Sequence, residues 1–472
     1  MSPFVTRWCC LWQVPDVALP FDVDEFIGTE VPEKEDAFVR YAAAVRMLGR
    51  NGSKWSTRAD DSRALAEVIG EAVVQPDNKW DDRLTQWLLD NSEVLAEYQR
   101  AAAMERAGGP SLRTADVTTI LTVHNDLRHL ARLAALEAIR CERAGDLEEA
   151  WEWHRANLQC ARHAEKPGWA ICRLVGMSVR SLAARDIAKW SSHSLLTSER
   201  LHEARLEVKA EAARRTPLSD VSKAEYLMVR NTFQRADAPN HLFPQWNSAS
   251  PYEPQLLVGK RWALWSVGQP EVLLRLLRQV LVNNAGQLDQ SLHVRRKTVR
   301  SEPAIVFELD PAMRRQWGQF DSAALARALG TPFGKTAIHP FTVNGNVDLA
   351  IRTENARLAA LDVVLAAQEY RRVYGEFPAT LESLVPTFLD AVPFDPMDAS
   401  GASLRYRRDE NGEAVVWSIG RDEQDDGGDV ELVDRIDKDA GYRIRVRPIQ
   451  VPETNKKMTT PATLGTAPAQ PQ

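Results

Sequence analysis

The sequence predicts a mostly α N-terminal domain, a helical bundle or irregular solenoid, followed by a small α+β C-terminal domain. Three observations carry this. Apolar residues recur at three- and four-residue steps in successive stretches of the first 345 positions, with Gly or Pro stops between them. A long stretch over 352–374 keeps that period and ends at Gly375 and Pro378. Beyond it, Asn411-Gly412 separates Leu404–Arg408 from Ala414–Ile419, a strong hairpin signal because a two-residue type I′ turn needs positive φ at both positions.

Bulk properties narrow the class. The 472 residues favour two or three domains, and 44% apolar with 26% charged residues is ordinary for a folded chain. The net charge of −6 offers no basic field, which argues against a nucleic-acid partner. The five cysteines are an odd number without a C-x-x-C pair, so they read as buried or free thiols. No apolar run reaches 18 residues, so no transmembrane helix is expected. Met1–Val14 lacks the basic start and cleavage site of a signal peptide and reads either as the remnant of an anchor present in longer relatives or as the start of a chain begun downstream of one.

Residues 1–34 read as an extended, acidic, Pro-containing entry, and 35–345 as the helical domain. Phe38, Tyr41, Val45 and Leu48 predict a first helix stopping at Gly49. A longer one is expected over 80–107, with Leu84, Trp87, Leu88, Val94, Leu95 and Tyr98 as its stripe. The stretch 118–144 follows, stopped by Gly145, with Asp146 and Glu149 opening the next helix as in a capping box. Pro167-Gly168 breaks that helix, and further helices are expected over 169–190, 197–214 and from 219. The turn at 144–150 resembles that of tetratricopeptide repeats, but no second copy occurs at a fixed period. The stretch 236–256 reads as loop, 256–283 and 311–329 as helix, and Gly330–Gly334 with Asn344-Gly345-Asn346 as a boundary.

The C-terminal domain is placed at 346–447, and 448–472 as a disordered Pro/Thr/Gln tail. Leu358, Leu361, Val364, Leu365 and Gln368 form one face of its helix, and Val363, Ala367, Tyr370 and Tyr374 a neighbouring one. So wide an apolar arc predicts packing on a small sheet. Val392-Pro393 and Asp395-Pro396 stiffen a corner, and 420–429 is an acidic loop. Tyr374-Gly-Glu-Phe-Pro378, Val392-Pro-Phe-Asp-Pro396 and Trp417-Ser-Ile-Gly-Arg-Asp422, in this order, resemble the globular part of type II secretion system major pseudopilins, over about one fifth of the chain. Phe341-Thr342-Val343 departs from that family, because Asn344-Gly345-Asn346 follows where pseudopilins have an apolar run. The resemblance implies the module's fold and a bacterial envelope, but not cleavage or polymerisation as a pilin.

Asp422, Asp425, Asp426 and Asp429 beside Gly427-Gly428 offer hard oxygens suited to Ca²⁺, and the resemblance implies calcium at this place; the alternative is a solvated turn. Cys160, His163, Cys172 and His154 are weighed as a zinc set against buried Cys and surface His. Glu148 and Glu149 near Trp151 and Trp153 are weighed as a glycan face against helix capping with packed Trp. His124 and His129, five apart, cannot share an ion on one helix face. No nucleotide or hydrolase motif occurs. The expected role is therefore a non-enzymatic structural or protein-interaction protein, and the alternative is an enzyme with a site over 141–172.

Overall fold

The computed structural model describes residues 16–50, 80–121, 123–235, 288–295, 332–430 and 438–445, with isolated positions at 72 and over 271–282. Residues 49, 50 and 332–346 are described by backbone alone. The expectations for Met1–Val14, the loop over 236–256, most of 256–283, 311–329 and the tail lie outside the described residues.

A short helix α1 (Val23–Ile27) and a 3₁₀ turn (Glu33–Glu35) lead into α2 (Ala37–Arg50). The single helix expected over 80–107 is two, α3 (Asp82–Asp90) and α4 (Ser92–Ala102). The break is at the buried Asn91, whose side-chain amide donates to the Trp87 carbonyl at 2.8 Å. An Asn that bonds the preceding turn competes with helix propagation, which periodicity alone does not register.

α5 (His124–Ala144) begins later than the period suggested. Asp116 accepts from the Thr118 backbone and hydroxyl, and the Thr119 hydroxyl accepts from the Asp116 backbone, so side chains hold a turn here. Gly145 ends α5 in the left-handed region, and Asp146 caps α6 (Leu147–Ala164) by accepting from Glu149 N at 3.2 Å. α7 (Ala170–Trp190), α8 (Ser198–Ala213) and α9 (Leu218–Phe233) complete the helical region, and α10 (Leu292–Arg295) is one turn. α5, α6 and α7 pack in succession, and α2 packs on α4. Their core includes Leu130, Leu136, Trp151, Val179 and Trp190, all nearly inaccessible to water.

α11 is 43 residues long (Pro332–Tyr374) and starts well before 352. It runs without a break through Asn344-Gly345-Asn346, because weak helix formers are tolerated once the flanking turns carry the ladder. Its apolar arc divides between two partners. Leu358, Leu361 and Leu365 join the core of the helical region. Ala360, Val363, Val364 and Ala367 meet the sheet together with Phe377, Leu381 and Phe388.

The sheet is antiparallel in the order β1 (Arg405–Arg408), β2 (Ala414–Ser418), β3 (Ala440–Ile444). Tyr406, Val416 and Tyr442 stand in register and face α11. The hairpin forms at Asn411-Gly412, but not through the expected type I′ turn: Gly412 alone takes positive φ, at +77°, and Asp409 N donates to the Glu413 carbonyl at 2.9 Å around a three-residue loop. The sheet has a third strand, β3, that the hairpin signal does not foretell, although Ala440, Tyr442 and Ile444 alternate. The described chain is thus mainly helical with one small antiparallel sheet, and none of its helices is long and apolar enough to cross a membrane.

Candidate functional site

The most concentrated chemistry lies where α11 crosses α7. α7 is apolar along most of its length, yet Arg173 and Arg180 sit two turns apart on its buried side. Glu165, just past α6, and Glu354 of α11 face them. Arg173 Nη1 donates to Glu165 Oε1 at 2.9 Å, and its Nη2 to Glu354 Oε2. Arg180 Nη1 bridges Glu165 Oε1 at 2.7 Å and Glu354 Oε1 at 2.6 Å. Arg215, from the turn after α8, reaches Glu354 Oε2 at 3.4 Å and donates to Asn355 Oδ1. Thr216 N donates to Glu165 Oε2 at 2.6 Å.

Burial opposes ionisation of Glu354, but Arg180 and Arg173, aided by Arg215, outweigh it and hold the carboxyl at about 2. Gly176 makes the approach possible. A Cβ there would stand 2.5 Å from Glu165 Cγ and 2.6 Å from the Ala161 carbonyl.

A second polar node ties three helical segments. Glu142, near the end of α5, accepts from His154 Nε2 at 3.0 Å and His193 Nε2 at 3.1 Å. Burial alone would raise its pKa, but these two bonds outweigh burial and hold it at about 2.

The weighed zinc set is dispersed. His163 Nδ1 meets the Tyr41 hydroxyl at 3.1 Å, His154 serves Glu142, and Cys172 packs beside Trp169 and Ala224. Burial pushes the Cys160 thiol up to about 11 and the His163 imidazole down to about 3. Trp151 is fully buried against Trp190, with ring centroids 4.8 Å apart, and Trp153 is 5% exposed, so neither offers a face to a sugar. The capping reading holds there, with Trp packed between helices.

In the C-terminal region Asp395 is the hub of the Pro-stiffened corner. It accepts from Met397 N at 2.9 Å, Ile419 N at 3.0 Å and the Ser418 hydroxyl, and pairs with Arg405. Arg405 also reaches Asp398 at 2.7 Å and Asp425 at 3.6 Å.

The acidic loop folds back over the side of the sheet turned away from α11. Trp417 Nε1 donates to Asp425 Oδ1 at 2.9 Å, and Gly428, at φ +83°, lies so close to the indole that a Cβ would come within 3.0 Å. Asp422 accepts from Gln424 N at 3.1 Å. Asp426 and Asp429 flank the Lys438 ammonium at 3.6 and 3.7 Å. Among the described residues no three carboxylate, imidazole or thiol groups gather in a position to hold a metal ion.

No protein-family model, curated protein or solved structure matches the chain. The geometry therefore stands on its own. Ionic groups clasp α11 to the helical region, and a Trp-covering loop closes the sheet's other side. Sequence reading missed Arg173, Arg180 and Glu354, although two Arg at a seven-residue step inside an apolar helix are a usable signal. It also missed Asp395 as a hub, because the Pro pairs drew the reading to backbone stiffness instead.

Proposed function

We propose that this chain is a non-enzymatic structural or protein-interaction protein of a bacterial cell envelope. Its C-terminal region is built on the plan of a type II secretion major pseudopilin. The observation that carries the reading is α11, whose one side lies on a three-stranded antiparallel sheet and is followed by corner, hairpin and acidic loop in that order. The helical region supports a binding role over chemistry. Arg173, Arg180, Glu165 and Glu354 are committed to one another, and the Cys141 and Cys160 thiols are raised by burial to about 12 and about 11, which keeps them protonated. The envelope placement rests on the resemblance alone.

Fractionation and in-cell cross-linking of the full chain in its own host test this. Recovery with the envelope, with cross-links through the 352–430 region to a small set of envelope proteins, is the expected result. Recovery in the cytosolic fraction without such cross-links overturns it.

Calcium at Asp422, Asp425, Asp426 and Asp429 belongs to the same proposal, and the fit is partial. Asp426 and Asp429 already surround one cation, the Lys438 ammonium, whereas Asp425 is committed to Trp417 and Arg405. Millimolar calcium raises the melting temperature if the ion replaces Lys438 between the carboxylates. An unchanged melting curve removes calcium from the reading.

A further inference from the structure

α8 packs along α11, and two largely buried carboxylates of α11, Asp362 and Glu369, face it two turns apart. α8 meets them with one buried guanidinium. Arg205 Nη1 donates to Asp362 Oδ1 at 3.3 Å, while its Nε stays 3.8 Å from Glu369 Oε2, too far to bond. Those two atoms are buried without a hydrogen-bond partner among the described residues.

The other charged groups nearby do not match Glu369. Lys209, one turn along α8, sits 3.2 Å from the exposed Asp390. Arg372 gives its guanidinium to the His193 and Leu196 carbonyls, and Arg371 lies over the Phe377 ring. Glu199, near the start of α8, adds repulsion. The seam is therefore short of one positive charge. The group placed to supply it is His202, partly open to solvent, whose Nδ1 stands 3.2 Å from Glu369 Oε1. A neutral imidazole offers that oxygen one hydrogen bond at most, and a charged one adds the missing positive charge.

We infer that the His202–Glu369 pair is a proton-operated latch: uptake of one proton between the two side chains tightens the α8–α11 seam as the medium turns acid. Burial, the main cause, lifts the Glu369 carboxyl above its ordinary value, against the pull of His202 and Arg205. The sign is the same wherever the proton rests. On the imidazole it completes an ion pair across the seam. On a carboxyl whose folded value is raised it also favours the folded state, so the seam loosens as pH rises. α11 leads into the sheet, so the latch sets how firmly the C-terminal region is held on the helical one.

The test uses the full chain and a local readout. Amide exchange over 198–206 and 366–374, corrected for the intrinsic rate, is compared at about pH 8 and about pH 5.5, the range in which imidazoles change charge. Exchange is expected to be about threefold slower at the lower pH. His202→Gln, at a partly exposed position, keeps the fold and loses this change, whereas Glu225→Gln, at another acid-responsive site, keeps it. In histidine-labelled protein, the His202 ring titrates about half a unit lower in Glu369→Gln than in the unaltered chain. Where Glu369→Gln does not fold, the His202→Gln comparison decides. Equal exchange at the two pH values, the same change in His202→Gln, or an unmoved His202 titration in Glu369→Gln overturns the inference.

Discussion

Replacing Glu354 by Gln tests whether the ionic joint holds α11 to the helical region. Gln keeps the volume and one acceptor oxygen but removes the charge that Arg173, Arg180 and Arg215 share. Glu354 is 3% exposed, so solvent does little to compensate. Its carboxyl is held at about 2 instead of 4.5, which corresponds to about 3 kcal/mol of charge stabilisation. Breaking one side of a buried ion pair costs about 3–5 kcal/mol, a similar size. The expected loss is therefore about 3 kcal/mol at neutral pH, read from urea unfolding followed by Trp emission.

The pH dependence has a definite sign. A carboxyl whose folded value lies below its unfolded one stabilises fully above about 4.5, and that contribution fades as pH falls toward about 2. The gap between the two proteins should be constant above pH 5 or so and close under acid. A gap under about 1 kcal/mol at pH 7, or one unchanged into acid, would falsify the view that this network is what clasps the helix.

Glu225 behaves in the opposite sense. Among the described residues its hydrogen-bond partner is Ala170 N, at 2.8 Å, and burial, the main cause, pushes its carboxyl up to about 7. Its contribution is complete below about 4.5 and is lost as pH rises through about 7, so the chain weakens over that window. Glu225→Gln should flatten the pH profile of the melting temperature and melt higher than the unaltered chain at pH 8; identical profiles refute this. Gly176→Ala places a Cβ 2.6 Å from the Ala161 carbonyl oxygen, a backbone atom that cannot rotate away, and should cost about 2 kcal/mol or more in urea unfolding. Glu142→Gln removes the charge and leaves an acceptor oxygen for only one of His154 and His193, and should cost about 2 kcal/mol, with hydrogen exchange rising first at the end of α5 and around residue 193.

What the residues alone settled was local. Gly145 with Asp146, Pro167-Gly168 and Asn411-Gly412 mark where helices and strands stop, because those stops depend on backbone freedom and caps within a few residues. The break at Asn91 and the strand Ala440–Ile444 escaped, one because a side chain bonded its own turn, the other because its partner strand lies more than 20 residues earlier. The wide apolar arc of α11 was legible, but its division between two partners was not. Periodicity says that a face is buried, and only tertiary packing says against what. The same holds for Arg173, Arg180, Arg215, Glu165 and Glu354. They come from the two ends of a 190-residue stretch, and no spacing along the chain encodes the distance at which opposite charges meet in a core.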